Sequence, residues 1–306
     1  MLMNTDILFA DLNEYNYNPM NDVLFKFIFG KEERKQITID FLNAVLEPSL
    51  GHMIQDLTFA PSEMNPEHEG DKLTRLDVAC ILDTEEQIDV EVQVVNEKNM
   101  ERRTLFYWAQ MYLMSLPAGK LYTDLKPAIT INLLDFTFLP QKEPHAMYSI
   151  YNPVNGHQLT KDLMLHFLEI PKCSRQVGKP IAQMTKMERW LAYFANRLDT
   201  KGKEELAMSE AAIRNAMDAA RVFLSSTEER RRYINRELFR MDQESGLISA
   251  RQEGRREGRQ EGRVEGAQCF GKLIQILIKE GNLEKIQEVT EDTALREALY
   301  KKYHIE

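Results

Sequence analysis

The sequence predicts an α/β protein: a mixed sheet flanked by helices, followed by an α-helical C-terminal region. Two observations carry this. Leu73 to Leu82 and Gln87 to Val95 alternate apolar and polar residues at the two-residue strand period, and Pro127 to Leu134 reads as a further strand. After Pro171 the apolar spacing turns helical and stays so to the end of the chain. The 306 residues, 43% hydrophobic and 28% charged, suffice for one large domain or two ordinary ones.

In chain order, Asn21 to Leu46 reads as helix, with Asn21 or Asp22 as the cap and Gly30 as a break. Asp56 to Ala60 is a short strand, and Pro61 to Asp71 is a polar loop rich in Glu, Pro and Gly. The two alternating strands are joined by a turn at Asp83 to Glu86. A helix spans Glu101 to Leu116, and strands follow at Pro127 to Leu134, Ala146 to Tyr151 and Leu163 to Ile170. Helices then cover Lys186 to Arg197, Lys203 to Leu224, Thr227 to Arg240 and a long stretch from about Glu244. The expected division is a domain of residues 1–172 and a helical region of residues 183–306, with the boundary near 171–185.

No apolar run approaches the roughly 20 residues of a membrane helix, and the N-terminus lacks a basic flank. A soluble, cytoplasmic protein is expected, with no membrane partner. Cys80, Cys173 and Cys269 are too few and too scattered for a disulfide framework or a cysteine zinc site. The six histidines show no metal-ligand spacing and are expected at the surface or in packing, and Trp108 and Trp190 in the core. Phosphate-loop, dinucleotide and nucleophile-elbow signatures are absent. The net charge of -9 is uneven. Residues 1–136 hold 11 basic and 23 acidic side chains, net -12, and residues 137–306 hold 28 and 25, net +3. An acidic front and a mildly basic back suggest two tasks.

The chemistry concentrates on the strand pair. If Leu82 opposes Glu86, Asp77 stands across from Glu91 and Arg75 across from Gln93. Asp77 and Ala79 then share a face with Asp89, Glu91 and Gln93, while Leu76, Val78, Cys80 and Leu82 share the other with Ile88, Val90, Val92 and Val94. The first face gathers three carboxylates, which repel unless something neutralises them. Either that face is simply solvated, or a hard divalent cation such as Mg²⁺ or Mn²⁺ binds there.

Four motifs in order decide between these readings: Asn21-Asp22-Val23-Leu24-Phe25-Lys26 with Phe29-Gly30; Arg75-Leu76-Asp77-Val78; Asp89-Val90-Glu91-Val92-Gln93; and Arg103-Thr104-Leu105-Phe106-Tyr107-Trp108. Over about residues 17–172 the chain resembles the recombination-promoting nuclease and transposase family of the PD-(D/E)XK nuclease superfamily. The resemblance implies a restriction-endonuclease-like core in the order αβββαβ and a Mg²⁺- or Mn²⁺-dependent endonuclease acting on DNA, with a link to recombination or transposition. It implies Asp77 and Glu91 as metal ligands and Gln93 in the place of the superfamily's lysine. Glutamine orients a water or phosphate by hydrogen bonds but lacks lysine's charge. Asp22 resembles the helical acidic residue that completes such a site, or else it caps its helix. Lys26, four residues on, either reaches a phosphate or pairs with Asp22. Arg103 and Tyr107 either touch the nucleic acid or are a snorkelling Arg beside a buried Tyr. The rival reading is a catalytically silent nuclease fold that binds nucleic acid or protein.

From Arg251 to Gly266 the chain repeats every four residues, with Arg at 251, 255, 259 and 263, Glu at 253, 257, 261 and 265, and Gly at 254, 258, 262 and 266. Like charges four apart and glycines costing up to about 1 kcal/mol each make an isolated helix marginal. A partner helix is one solution, which suggests a homodimer through residues 244–280; a frayed charged linker is the other. Residues 230–263 hold ten Arg, no Lys and six acidic residues, so this arm can alternatively follow a phosphate backbone. Gly281 to Tyr303 reads as short paired helices.

Overall fold

The computed structural model describes residues 12–13, 16–61, 63–64, 74–116, 119–176 and 179–305. Two compact units divide between Met241 and Asp242. In the first, α1 (Asp22–Phe29) begins where the Asn21 side chain accepts the N–H of Leu24. Gly30 ends it by bonding the Lys26 carbonyl, and a Cβ on Gly30 would sit 2.9 Å from that same oxygen. The expected break therefore has a steric cause. A 3₁₀ turn, Glu32–Arg34, leads into α2 (Lys35–Leu50), which stops at Gly51 with φ 78.

Six strands form one mixed sheet: β1 (Leu57–Phe59), β4 (Val78–Leu82), β5 (Gln87–Gln93), β6 (Ala128–Leu134), β7 (His145–Tyr148) and β8 (Leu163–Glu169), ordered β1-β4-β5-β6-β8-β7. Pairs β5–β6 and β6–β8 are parallel and the others antiparallel. Val78 faces Val90 and Ile81 faces Gln87, and Leu82 N–H bonds the Glu86 carbonyl, which is the register expected from alternation. Two details differ. Arg75 belongs to a separate two-stranded ladder, β2 (Glu63–Met64) with β3 (Thr74–Arg75), and pairs with Glu63 rather than standing across from Gln93. Leu76 packs with Ala79, Tyr107 and Met111, on the side opposite Val78, because the chain bends at Asp77 before β4 starts. Of the loop expected over Pro61–Asp71, residues 62 and 65–71 lie outside the described residues.

One sheet face carries Val78, Cys80, Leu82, Ile88, Val90, Ile129 and Ile131 into the main core. Helices α1, α2, α4 (Lys186–Ala195), α5 (Thr200–Ser209) and α6 (Ala211–Ser225) build the rest of that core. Phe25, Phe29, Phe41, Trp190 and Phe194 form its aromatic centre, and the fully buried Trp190 donates to Asp40 at 2.9 Å. The other face is covered by α3 (Met100–Met114), through Tyr107, Met111 and Trp108. The strand-to-helix change expected near 171–185 is present in chain order, yet α4, α5, α6 and Tyr233 and Ile234 of α7 (Thr227–Lys279) share the first unit's core. The single helix expected over Lys203–Leu224 is two, separated by Glu210 in extended backbone.

In the second unit α7 continues unbroken to Lys279, so the stretches expected from Thr227 and from about Glu244 are one helix. Residues 245–268 are exposed along their whole length. The end of α7 folds with α8 (Leu283–Glu291) and α9 (Thr293–Tyr303) around Leu273, Leu277, Val289 and Leu299. Among the described residues no helix is long and apolar enough to cross a membrane. Cys80 and Cys173 are buried thiols and Cys269 is partly buried, all three free.

Candidate active site

The site grows from the end of the β4–β5 hairpin. Where the chain bends at Asp77, side chains take over from the backbone ladder: Asp77 N–H donates to Glu91 Oε1, and Val92 N–H donates to Asp77 Oδ2, both at 3.0 Å. The two carboxylates are thereby fixed across from one another, as the register predicts. Each also meets a cation. Lys26 Nζ from α1 lies 2.9 Å from Asp77 Oδ1, and Arg103 from α3 lies 3.3 Å from Glu91 Oε2. The carboxylate face is not solvated, because α3 lies over it: Glu91 is 4% exposed and Asp89 fully buried. Among the described residues neither Asp89 oxygen has a hydrogen-bond partner.

Burial, then the negative charges of Glu91 and Asp77, push the Asp89 carboxyl well above the ordinary range, with Arg103 and Lys26 opposing. Burial followed by Asp77 pushes Glu91 up as well, against Arg103, the Asp77 N–H and Lys26. Buried carboxyls displaced in this way mark candidate functional sites. The same polar layer continues on β6, where Asn132 lies beside Glu91 in register and its Oδ1 accepts from the Thr104 hydroxyl of α3 at 2.7 Å.

The remaining residues sort clearly. Lys26 pairs with Asp77, not with Asp22. Asp22 is the first residue of α1, its cap being Asn21, and it pairs with Arg236 Nε at 2.7 Å. Arg236 comes from a helix more than 200 residues away in sequence, which no local pattern reveals. Gln93 Nε2 donates to the Val95 carbonyl at 3.0 Å, so its amide is held at the end of its own strand. Arg103 also stacks over Tyr107, 5.2 Å from the ring centroid, and the Tyr107 ring is buried. Asp89 was legible as a member of the carboxylate face; its isolation follows from the cover supplied by α3.

Among the described residues no three His, Cys, Asp or Glu side chains stand together as a ready metal centre. The two facing carboxylates, Asp77 and Glu91, nonetheless fit a hard divalent ion, since Mg²⁺ takes one or two carboxylates and fills its shell with water and phosphate.

The sequence profile of a family described as PD-(D/E)XK nuclease family transposase matches residues 19–250. The chain belongs to that family. The match takes in the facing carboxylates, α1 with Lys26, α3 with Arg103, and the part of α7 that binds Asp22. The mixed sheet with flanking helices and a helical C-terminal region agrees with a PD-(D/E)XK fold. No curated protein and no solved structure gives a significant match to the chain.

Proposed function

We propose that the protein is a Mg²⁺- or Mn²⁺-dependent endonuclease that hydrolyses DNA phosphodiesters, with Asp77 and Glu91 holding the ion. The observation that carries this reading is the Asp77–Glu91 pair at the hairpin end, buried under α3 and flanked by one cation on each side. A divalent ion there supplies charge stabilisation for the phosphate and lowers the pKa of a water. Lys26 and Arg103 are placed to receive the phosphate's charge once they release their carboxylates, and Arg103 offers the planar donor fork that suits phosphate oxygens. Tyr107 fixes the guanidinium by stacking. Gln93 orients the attacking water by hydrogen bonding after giving up the Val95 carbonyl. Asp22 assists indirectly, through the helix that carries Lys26.

The family's description as a transposase supports transposition as the setting, and recombination and a cytoplasmic location belong to the same proposal. A homodimer through residues 244–280 belongs to the same proposal: Gly254, Gly258 and Gly262 have open space where a Cβ would stand, so two helices can approach closely there. Purified full-length protein should nick plasmid DNA with Mg²⁺ or Mn²⁺, and Asp77→Ala should abolish nicking while the far-UV signal is unchanged. Metal-independent nicking, or equal nicking by the variant, rejects the nuclease. DNA binding without cleavage would instead select the silent-fold reading, in which Lys26 and Arg103 neutralise the carboxylates permanently.

A further inference from the structure

Asp89 lies on the carboxylate face two residues before Glu91, opposite Ala79 on β4 and beside Thr130 on β6. Tyr107 and Met111 pack with Ala79 over this part of the sheet. Asp89 is fully buried and neither of its oxygens has a hydrogen-bond partner among the described residues, whereas each neighbouring carboxylate has a cation: Lys26 for Asp77 and Arg103 for Glu91. Two cations serve three carboxyls, and Asp89 is the one that neither of them pairs with. A buried carboxyl group whose oxygens make no hydrogen bond is unfavourable in either protonation state, and a cation reaching those oxygens would match them.

We propose that Asp89 is the inner carboxylate of the cation site, so that a divalent ion at Asp77 and Glu91 also engages Asp89, and that Asp77 exchanges Lys26 for this ion. The proposal rests on the nuclease reading for the ion at Asp77 and Glu91, and extends it to a residue that the motif pattern does not assign. Lys26 Nζ, 2.9 Å from Asp77 Oδ1, occupies the outer side of that carboxylate, and the side chain is one-third exposed and free to swing toward solvent. With a divalent ion held and all three carboxyls ionised, the local sum with Lys26 still nearby would be one positive charge, which a phosphodiester's single negative charge would balance.

The test is Mn²⁺ binding to the full-length chain, read from the free-ion electron paramagnetic resonance signal and from melting curves with and without Mn²⁺. Wild type should bind Mn²⁺ and melt higher in its presence. Asp89→Asn should weaken binding at least tenfold while melting, without metal, no lower than wild type, because the substitution keeps the shape and takes away no hydrogen bond. Lys26→Met should bind Mn²⁺ more tightly, because a competing cation is gone. Wild-type affinity in Asp89→Asn, or a lower metal-free melting temperature, would overturn the proposal; unchanged affinity in Lys26→Met would overturn the exchange. Glu91→Gln separates the two readings. If it loses Mn²⁺ while Asp89→Asn does not, Asp89 is no ligand and the nuclease reading stands; if wild type itself binds no Mn²⁺, both fall.

Discussion

Asn21 caps α1 with its oxygen and holds a buried carboxylate with its nitrogen. Its Oδ1 accepts from Leu24 N–H, and its Nδ2 donates to Glu237 Oε1 at 2.8 Å and to the Tyr233 carbonyl at 3.3 Å. Glu237, only 5% exposed, is also bonded by Arg240, and the Tyr233 hydroxyl accepts from Asn18 N–H at 2.7 Å. The cap was legible from sequence, since Asn before an apolar helix is a strong start signal. The other half was not, because the partners lie on α7 and nothing local marks them. Asn21→Ala should therefore cost more than a cap alone, about 2–4 kcal/mol from the lost cap plus a buried carboxylate deprived of a donor. Urea unfolding measures it, and a loss below about 1 kcal/mol, the size of an ordinary cap, would show that Glu237 finds another partner. The same residue scale explains Asp22, whose carboxylate is oriented by Arg236 rather than toward the hairpin.

The hairpin shows how alternation fixes an element. Apolar residues at every second position of β4 and β5 allow one register, since a one-residue slip would turn the core face outward. The carboxylate geometry followed from that register. What escaped was the bend at Asp77, where a side chain replaces the backbone ladder and sends Leu76 to the opposite face. The sheet's other end holds a second polar pair, one member half-buried and the other fully buried. His145 on the edge strand β7 and His166 on β8 share a hydrogen bond of 2.9 Å between Nε2 and Nδ1, and their rings lie nearly parallel. Burial, then the charge of His145, holds His166 down to about 3 from its ordinary 6.5. A base with a depressed folded pKa takes up protons more readily when unfolded. This contribution to stability is thus complete above pH 6.5 and is lost as pH falls toward 3. The slope should approach about 1.4 kcal/mol per pH unit below pH 6 from this group alone. Urea midpoints between pH 7 and 4 should fall more steeply for wild type than for His166→Gln; parallel lines would contradict the assignment.

Across the whole molecule, the composition divides at a different place from the contacts. The change from strands to helices near residue 171 suggested a boundary there, but the apolar faces of α4 and α6 have no core of their own and bury against α1 and α2. Tertiary packing, which periodicity cannot report, places the division after Met241. Beyond it the four-residue repeat is helical and exposed, although its composition offers little to hold a lone helix. Pairing with a second copy would supply the contacts and raise the local concentration of a second active site. Full-length protein should be dimeric by light scattering at tens of micromolar, on the order expected for weak pairs. Deletion after Met241 should leave a folded monomer that cuts DNA more weakly, mainly as nicks. A monomeric full-length chain would remove the dimer, and a dimer surviving deletion would move the interface into the first unit.

The central claim is that Asp77 and Glu91 support metal-dependent cleavage of DNA, and the most direct measurement is a time course of nicking of supercoiled plasmid by the full-length chain. With Mn²⁺ the wild type should convert plasmid to nicked circles, stop when the metal is chelated, and resume when Mn²⁺ is restored. Asp77→Asn, which keeps an acceptor for the Val92 N–H, should melt near wild type yet cut at least 100-fold more slowly. Cleavage that continues in chelator, or that persists undiminished in Asp77→Asn, would contradict the claim.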